Sequence, residues 1–135
     1  MNSTIAIDPK TTMRELLEQF PGAQRAMQIE PQELHEKFSL GKKVNLLDVR
    51  TREEFDTVRL PGAELFTQDL MQHILSDWSR ETLLVIYDHQ GTRSMDAAAY
   101  FQGHGFTNVK SLRGGIDAYS AEADASLPRY SLEAA

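Results

Sequence analysis

Leu83-Leu84-Val85-Ile86-Tyr87-Asp88-His89-Gln90-Gly91-Thr92-Arg93-Ser94 is the stretch that decides the fold. The apolar run from Leu83 to Tyr87 has no polar interruption, the pattern of a strand buried on both faces. It stops at Asp88. A short polar loop with a glycine (Gly91) and an arginine (Arg93) follows, and a helix-forming run begins at Ser94. A loop that turns its backbone N–H groups inward just before a helix N-terminus makes a cradle for an anion. The first cradle residue, Asp88, stands where chemistry is expected. It is a carboxylate, in a chain with 0 cysteines.

The same alternation of strand and helix extends in both directions. Upstream, Val44 to Val49 reads as a buried strand that ends at Asp48-Val49-Arg50. Thr51 with Glu54 is a capping box, which predicts a short helix over Arg52 to Asp56. Leu60-Pro61-Gly62-Ala63 is a turn into a short strand, Glu64 to Phe66. Thr67 or Gln68 opens a helix whose inward residues are Leu70, Met71, Ile74, Leu75 and Trp78. The most apolar strand covers Thr82 to Tyr87. Downstream, Ser94 to Gly103 is a helix with Gly103 and Gly105 as stop signals. Asn108 to Leu112 is a strand, and Arg113-Gly114-Gly115 leads into a last helix reaching about Ala123. Nearer the start, Ile29 belongs to a short strand, and Pro31 opens a helix with Leu34 and Phe38 on one face.

Short buried strands separated by helices imply an α/β fold, a central parallel sheet covered by helices on both faces. Ligands bind such sheets at the carboxyl ends of the strands. That rule gathers Asp48, Arg50 and the loop Asp88, His89, Gln90, Gly91, Thr92, Arg93 and Ser94 around one pocket. The chain divides into an N-terminal segment, 1–24, a domain, 25–130, and a tail, 131–135. In the first segment Met13, Leu16, Leu17 and Phe20 form an apolar helical stripe that Pro21-Gly22 should end or kink. The stripe either packs on its own domain or docks a partner chain.

Composition narrows the function. Over 135 residues the net charge is −6. A general binder of nucleic acid or anionic membrane is basic, so that class is disfavoured. Without cysteine the chain has no disulfide, thiolate nucleophile, persulfide or metal–thiolate site. No apolar stretch approaches the ~18–20 residues that span a bilayer, and the start lacks a secretory pattern. A cytoplasmic, soluble protein is expected. His35, His73, His89 and His104 show no ligand spacing, so neither metal nor cofactor is expected.

Three stretches, in order, carry a family resemblance. Leu47-Asp48-Val49-Arg50, with Glu53-Glu54-Phe55 and Leu60-Pro61-Gly62-Ala63, is similar to the first signature of the rhodanese-like domain. Asp88 to Ser94 resembles its active-site loop, which has the form C-x-x-G-x-R-S. Leu112-Arg113-Gly114-Gly115-Ile116-Asp117-Ala118-Tyr119 resembles its closing signature, usually G-G-x-x-A-W. The likeness spans about Met27 to Tyr130. Leu127-Pro128-Arg129-Tyr130 is similar to the end of rhodanese modules fused to enzymes that activate sulfur-carrier proteins. The segment before Met27 looks like the start of a small helical domain found in some redox-associated proteins. The resemblance implies a rhodanese-like three-layer fold and, for the family, sulfane-sulfur transfer, in which a cysteine takes up sulfur as a persulfide and hands it to a nucleophile. It implies partner proteins of sulfur or redox metabolism. A persulfide needs N–H donors and a nearby cation. Gly91 lets the backbone approach closely, Arg93 supplies charge and hydrogen bonds, and Ser94 caps the helix.

Asp88 cannot form a persulfide, and no other residue of the chain can. As a structural residue, its carboxylate occupies the nest meant for a thiolate. The loop N–H groups and Arg93 then favour its charged form, and it repels thiosulfate or phosphate. As a catalytic residue it would be a nucleophile for phosphoryl or acyl transfer, or a general base with His89 and Arg93. Phosphoryl transfer asks for Mg2+ and further acids, and the strand argument brings only Asp48 nearby. A third reading has the domain assist a partner's cysteine in trans. The leading expectation is a catalytically inactive rhodanese-like domain that binds or regulates. Asp48 is expected to hydrogen-bond a neighbouring turn. Arg50 is open between pairing with Glu53 or Glu54 and reaching the pocket rim. Trp78 is expected to pack, as is Tyr119, which stands where the family usually has Trp. Oligomeric state does not follow from the sequence.

Overall fold

The computed structural model describes residues 25–131. Its strands are β1 (Gln28–Ile29), β2 (Asn45–Asp48), β3 (Glu64–Leu65), β4 (Leu84–Tyr87) and β5 (Val109–Leu112). Its helices are α1 (Pro31–Ser39), α2 (Arg52–Thr57), α3 (Gln68–Asp77), α4 (Thr92–Gly103) and α5 (Gly115–Glu122). The strands form one parallel sheet in the order β1-β5-β4-β2-β3. The amphipathic stripe of residues 1–24 and the tail from residue 132 lie outside the described residues.

Two-residue periodicity splits each strand between the two faces. Leu47, Leu84 and Ile86 point to one side, where they pack with Ile74 of α3 and with Met95, Ala98 and Phe101 of α4. Leu46, Val85 and Tyr87 point to the other, with Leu34 of α1 and Ile116 and Tyr119 of α5. β4 is buried at every residue because it lies between β2 and β5 with a core on each face. The α/β fold with helices on both faces of a parallel sheet is therefore as expected. Trp78 packs at the edge of the first core and Tyr119 is buried in the second.

Helix starts follow local chemistry. α1 opens on Pro31 with a Glu30–Glu33 capping box, α2 on the Thr51–Glu54 box, and α3 on Thr67, whose side chain accepts from the Leu70 N–H. α4 and α5 have no such cap. Each starts after a left-handed glycine, Gly91 (φ 92°) and Gly114 (φ 71°). Both of these open N-termini face the loop that follows β4.

Candidate functional site

Register places the acids. Asp48, the last residue of β2, lies opposite Tyr87, the last of β4. Asp88 is the next residue, so both carboxylates stand at the carboxyl edge of adjacent strands. They meet different surroundings and do not share a site.

Asp88 is folded into its own loop and is only 5% exposed. One carboxylate oxygen accepts from the Gly91 N–H and, at 3.2 Å, from the Ser94 hydroxyl. The other accepts from the Arg93 N–H at 2.7 Å. Gly91 and Arg93 are the N-cap and second residue of α4, so the carboxylate caps that helix and lies at the positive end of its dipole. Charge-assisted bonds of this kind contribute about 1.5–3 kcal/mol each.

Two sequence expectations are corrected here. Ser94 does not cap the helix. Gly91 turns the chain early, α4 begins at Thr92, and Ser94 sits inside the first turn, fully buried. Its hydroxyl joins Asp88 to Ser111 of β5, at 2.8 Å. Arg93 meets Asp88 through its backbone N–H, and its side chain lies exposed at the mouth of the cavity.

The loop is also clamped from α5. The Ile116 N–H donates to the Asp88 carbonyl at 3.0 Å and the Asp117 N–H to the His89 carbonyl at 3.1 Å. Gly115 comes so close that a Cβ there would overlap the His89 carbonyl. A Cβ on Gly91 would stand 2.9 Å from the Gly114 nitrogen. The glycines of the loop and of the closing Gly-Gly stretch thus serve one close approach of backbone to backbone.

Asp48 is spoken for by Arg50. Its carboxylate accepts from the Arg50 N–H at 2.9 Å, which closes the turn after β2, and from the guanidinium at 2.9, 3.2 and 2.7 Å. Arg50 therefore pairs with Asp48, and neither Glu53 nor Glu54 is its ion-pair partner. The guanidinium also donates to the Val58 carbonyl and to the Tyr130 hydroxyl. Burial alone would lower its pKa, but the bonds to Asp48 and Tyr130 outweigh that and raise it above the ordinary value. Burial likewise pushes the Tyr87 hydroxyl up. Its oxygen accepts from the Leu60 N–H at 3.2 Å.

Beside Asp88 and Arg50 lies a cavity of about 170 Å³ lined by Val49, Arg50, Glu54, Asp88, His89, Gln90, Thr92 and Arg93. Sequence reasoning read Glu54 as a capping residue and as a candidate partner of Arg50. Its carboxylate also accepts from the Tyr130 hydroxyl at 2.6 Å. Burial would raise the Glu54 pKa, but the Tyr130 bond, the Thr51 bonds and the Arg50 charge hold it below the usual carboxylate range. Burial and the Glu54 bond push the Tyr130 hydroxyl up to about 12. The ring of Tyr130 lies 4.4 Å from that of His89. Only its place in the terminal Leu-Pro-Arg-Tyr stretch hinted at Tyr130. His89 is 9% exposed, and its Nδ1 is buried with no hydrogen-bond partner. Among the described residues no group of three or more His, Asp or Glu side chains could hold a metal ion.

This geometry meets known proteins directly. The family model described as "Rhodanese-like domain" matches residues 30–122. The chain is similar to a probable adenylyltransferase/sulfurtransferase, MoeZ, of Mycobacterium tuberculosis, with 32% identity over 94% of this chain. The chain spans only 36% of that relative's length. It is 31% identical, over 69% of its length, to a sulfurtransferase of Allochromatium vinosum, 87% of which is covered. Among solved structures, a rhodanese-like domain protein from Staphylococcus aureus superposes with a TM-score of 0.61 at 28% identity, covering 77% of this chain and 98% of that one. The chain belongs to the rhodanese-like domain family, and it carries Asp88 where the family's loop begins with its catalytic cysteine.

Proposed function

We propose that this domain is a catalytically inactive rhodanese-like module that binds or regulates a protein partner of sulfur or redox metabolism, in the cytoplasm. The observation that carries the reading is the filled cradle. Asp88 takes the donors of its loop, from Gly91, Arg93 and Ser94, so the loop keeps its shape with no thiol. A group bound this fully is a poor nucleophile, because attack would first break bonds that already stabilise its charge. Asp48, the other acid at the strand ends, is neutralised by Arg50. That argues against hydrolysis or phosphoryl transfer by Asp88 with His89 and Arg93. Service to a partner's cysteine in trans is a form of the same binding role. The names of the relatives, sulfurtransferases and an adenylyltransferase/sulfurtransferase, support sulfur metabolism as the setting.

The test is thiosulfate–cyanide sulfurtransfer. The pure chain should release thiocyanate at the background rate, and robust turnover would overturn the proposal. Asp88→Cys should gain measurable turnover, since the same three donors would then face a thiolate.

A further inference from the structure

We infer that residues 127–130 are an internal ligand of a seat made by Arg50, Glu54, His89 and Asp117, next to the cavity beside Asp88, a plug that holds the place of an incoming peptide with the same chemistry: an aromatic hydroxyl preceded by a cation. This deepens the binding reading above and rests on it. The match to the family model ends at residue 122, before this segment.

Each anchor of the plug has its own receptor. The ring of Tyr130 rests on His89 and faces the Arg50 guanidinium at 5.8 Å. Its hydroxyl donates to Glu54 at 2.6 Å and accepts from Arg50 at 2.8 Å. A pocket that answers a hydroxyl with both an acceptor and a donor disfavours phenylalanine, whose ring would forfeit the bonds to Glu54 Oε2 and Arg50 Nη1. Arg129 makes a two-pronged bond to Asp117, at 2.9 and 3.0 Å. The side chain of Leu127 packs against the core under α1 and α5, and its carbonyl accepts from Ser120.

Two features make the plug displaceable. The receptor stands without it: Glu54 is held by Thr51, and Arg50 by Asp48 and Val58. Residues 128–130 belong to no helix or strand, so their departure breaks no ladder.

The experiment uses the full chain and a full-length Arg129→Ala/Tyr130→Ala variant. The probe is a synthetic peptide, Ser-Leu-Pro-Arg-Tyr, with a Phe-ended control, and two-dimensional NMR reads the amides of Arg50, Glu54, His89 and Gly91. The peptide should shift these signals saturably in the variant. In the unmodified chain it must compete with a tethered plug, so its apparent affinity should be at least about tenfold weaker. The Phe peptide should bind the variant more weakly than the Tyr peptide. No shift in the variant, equal affinity for both chains, or equal affinity of both peptides would overturn the inference. A variant that fails to fold would make Tyr130 a core residue and overturn it too. Sulfurtransfer by the unmodified chain would sink the binding reading without touching the plug, whereas failure of the peptide to bind would leave the inactive cradle standing.

Discussion

A thiolate and a carboxylate ask the same thing of a loop, a set of N–H and O–H donors around a negative charge. Asp88 receives them from Gly91, Arg93 and Ser94. Asp88→Ala leaves all three unanswered and should lower stability by about 2–3 kcal/mol, read as the free energy of urea unfolding. Asp88→Asn keeps an acceptor and should lose about half of that. Equal stability of Ala, Asn and wild-type chains would mean the carboxylate does not hold the loop. The cradle was legible from the order strand, glycine, arginine and helix. Which atoms serve it was not. Arg93 acts through its backbone N–H, which every residue but proline possesses, and Ser94 also meets Ser111, which a distant strand supplies.

At the scale of elements, the loop after β4 is formed as much by α5 as by its own residues. Gly115 (φ 67°) lies against the His89 carbonyl, while Gly41 (φ 71°) has nothing within 4 Å of a Cβ. Gly41→Ala should therefore cost only its backbone strain, about 1 kcal/mol, whereas Gly115→Ala adds a backbone overlap and should cost more than about 3 kcal/mol. Similar midpoints for the two variants in chemical denaturation would refute the clamp. Elements declared themselves in sequence where local chemistry makes them. Thr51 with Glu54 marks α2, and the run to Tyr87 marks β4. The start of α4 was misjudged by two residues, because its cap is Asp88, a residue before the turn and not the usual neighbouring side chain. The seating of Tyr130 was illegible because its partners, Arg50 and Glu54, are 80 and 76 residues away.

The whole molecule joins its end to its middle through ionisable groups, so acid should release that join. Glu54 is held below the usual carboxylate range by Tyr130, Thr51 and Arg50 against the pull of burial. Asp117 is lowered chiefly by Arg129. A carboxylate depressed in the fold adds stability above its unfolded pKa, near 4, and that stability is lost as pH falls through the folded value. Tyr130→Phe should thus be less stable than wild type by about 1 kcal/mol at pH 7, with the gap narrowing as pH falls below the usual carboxylate range and Glu54 protonates. Urea unfolding across that range is the check, and a gap independent of pH would contradict the link. The Tyr130 hydroxyl, pushed up to about 12, stays neutral throughout.

The sheet order also sets a sequence of events in time. β2 pairs β4 from nearby in the chain, but β1 must wait for β5, where Gln28 meets Ser111. Loop-closure entropy makes such distant pairings late ones. The cradle waits too, since the amides of Ile116 and Asp117 that clamp it arrive only after β5. A chain emerging from the ribosome therefore shows no finished surface around Asp88 until β5 and the start of α5 have been made.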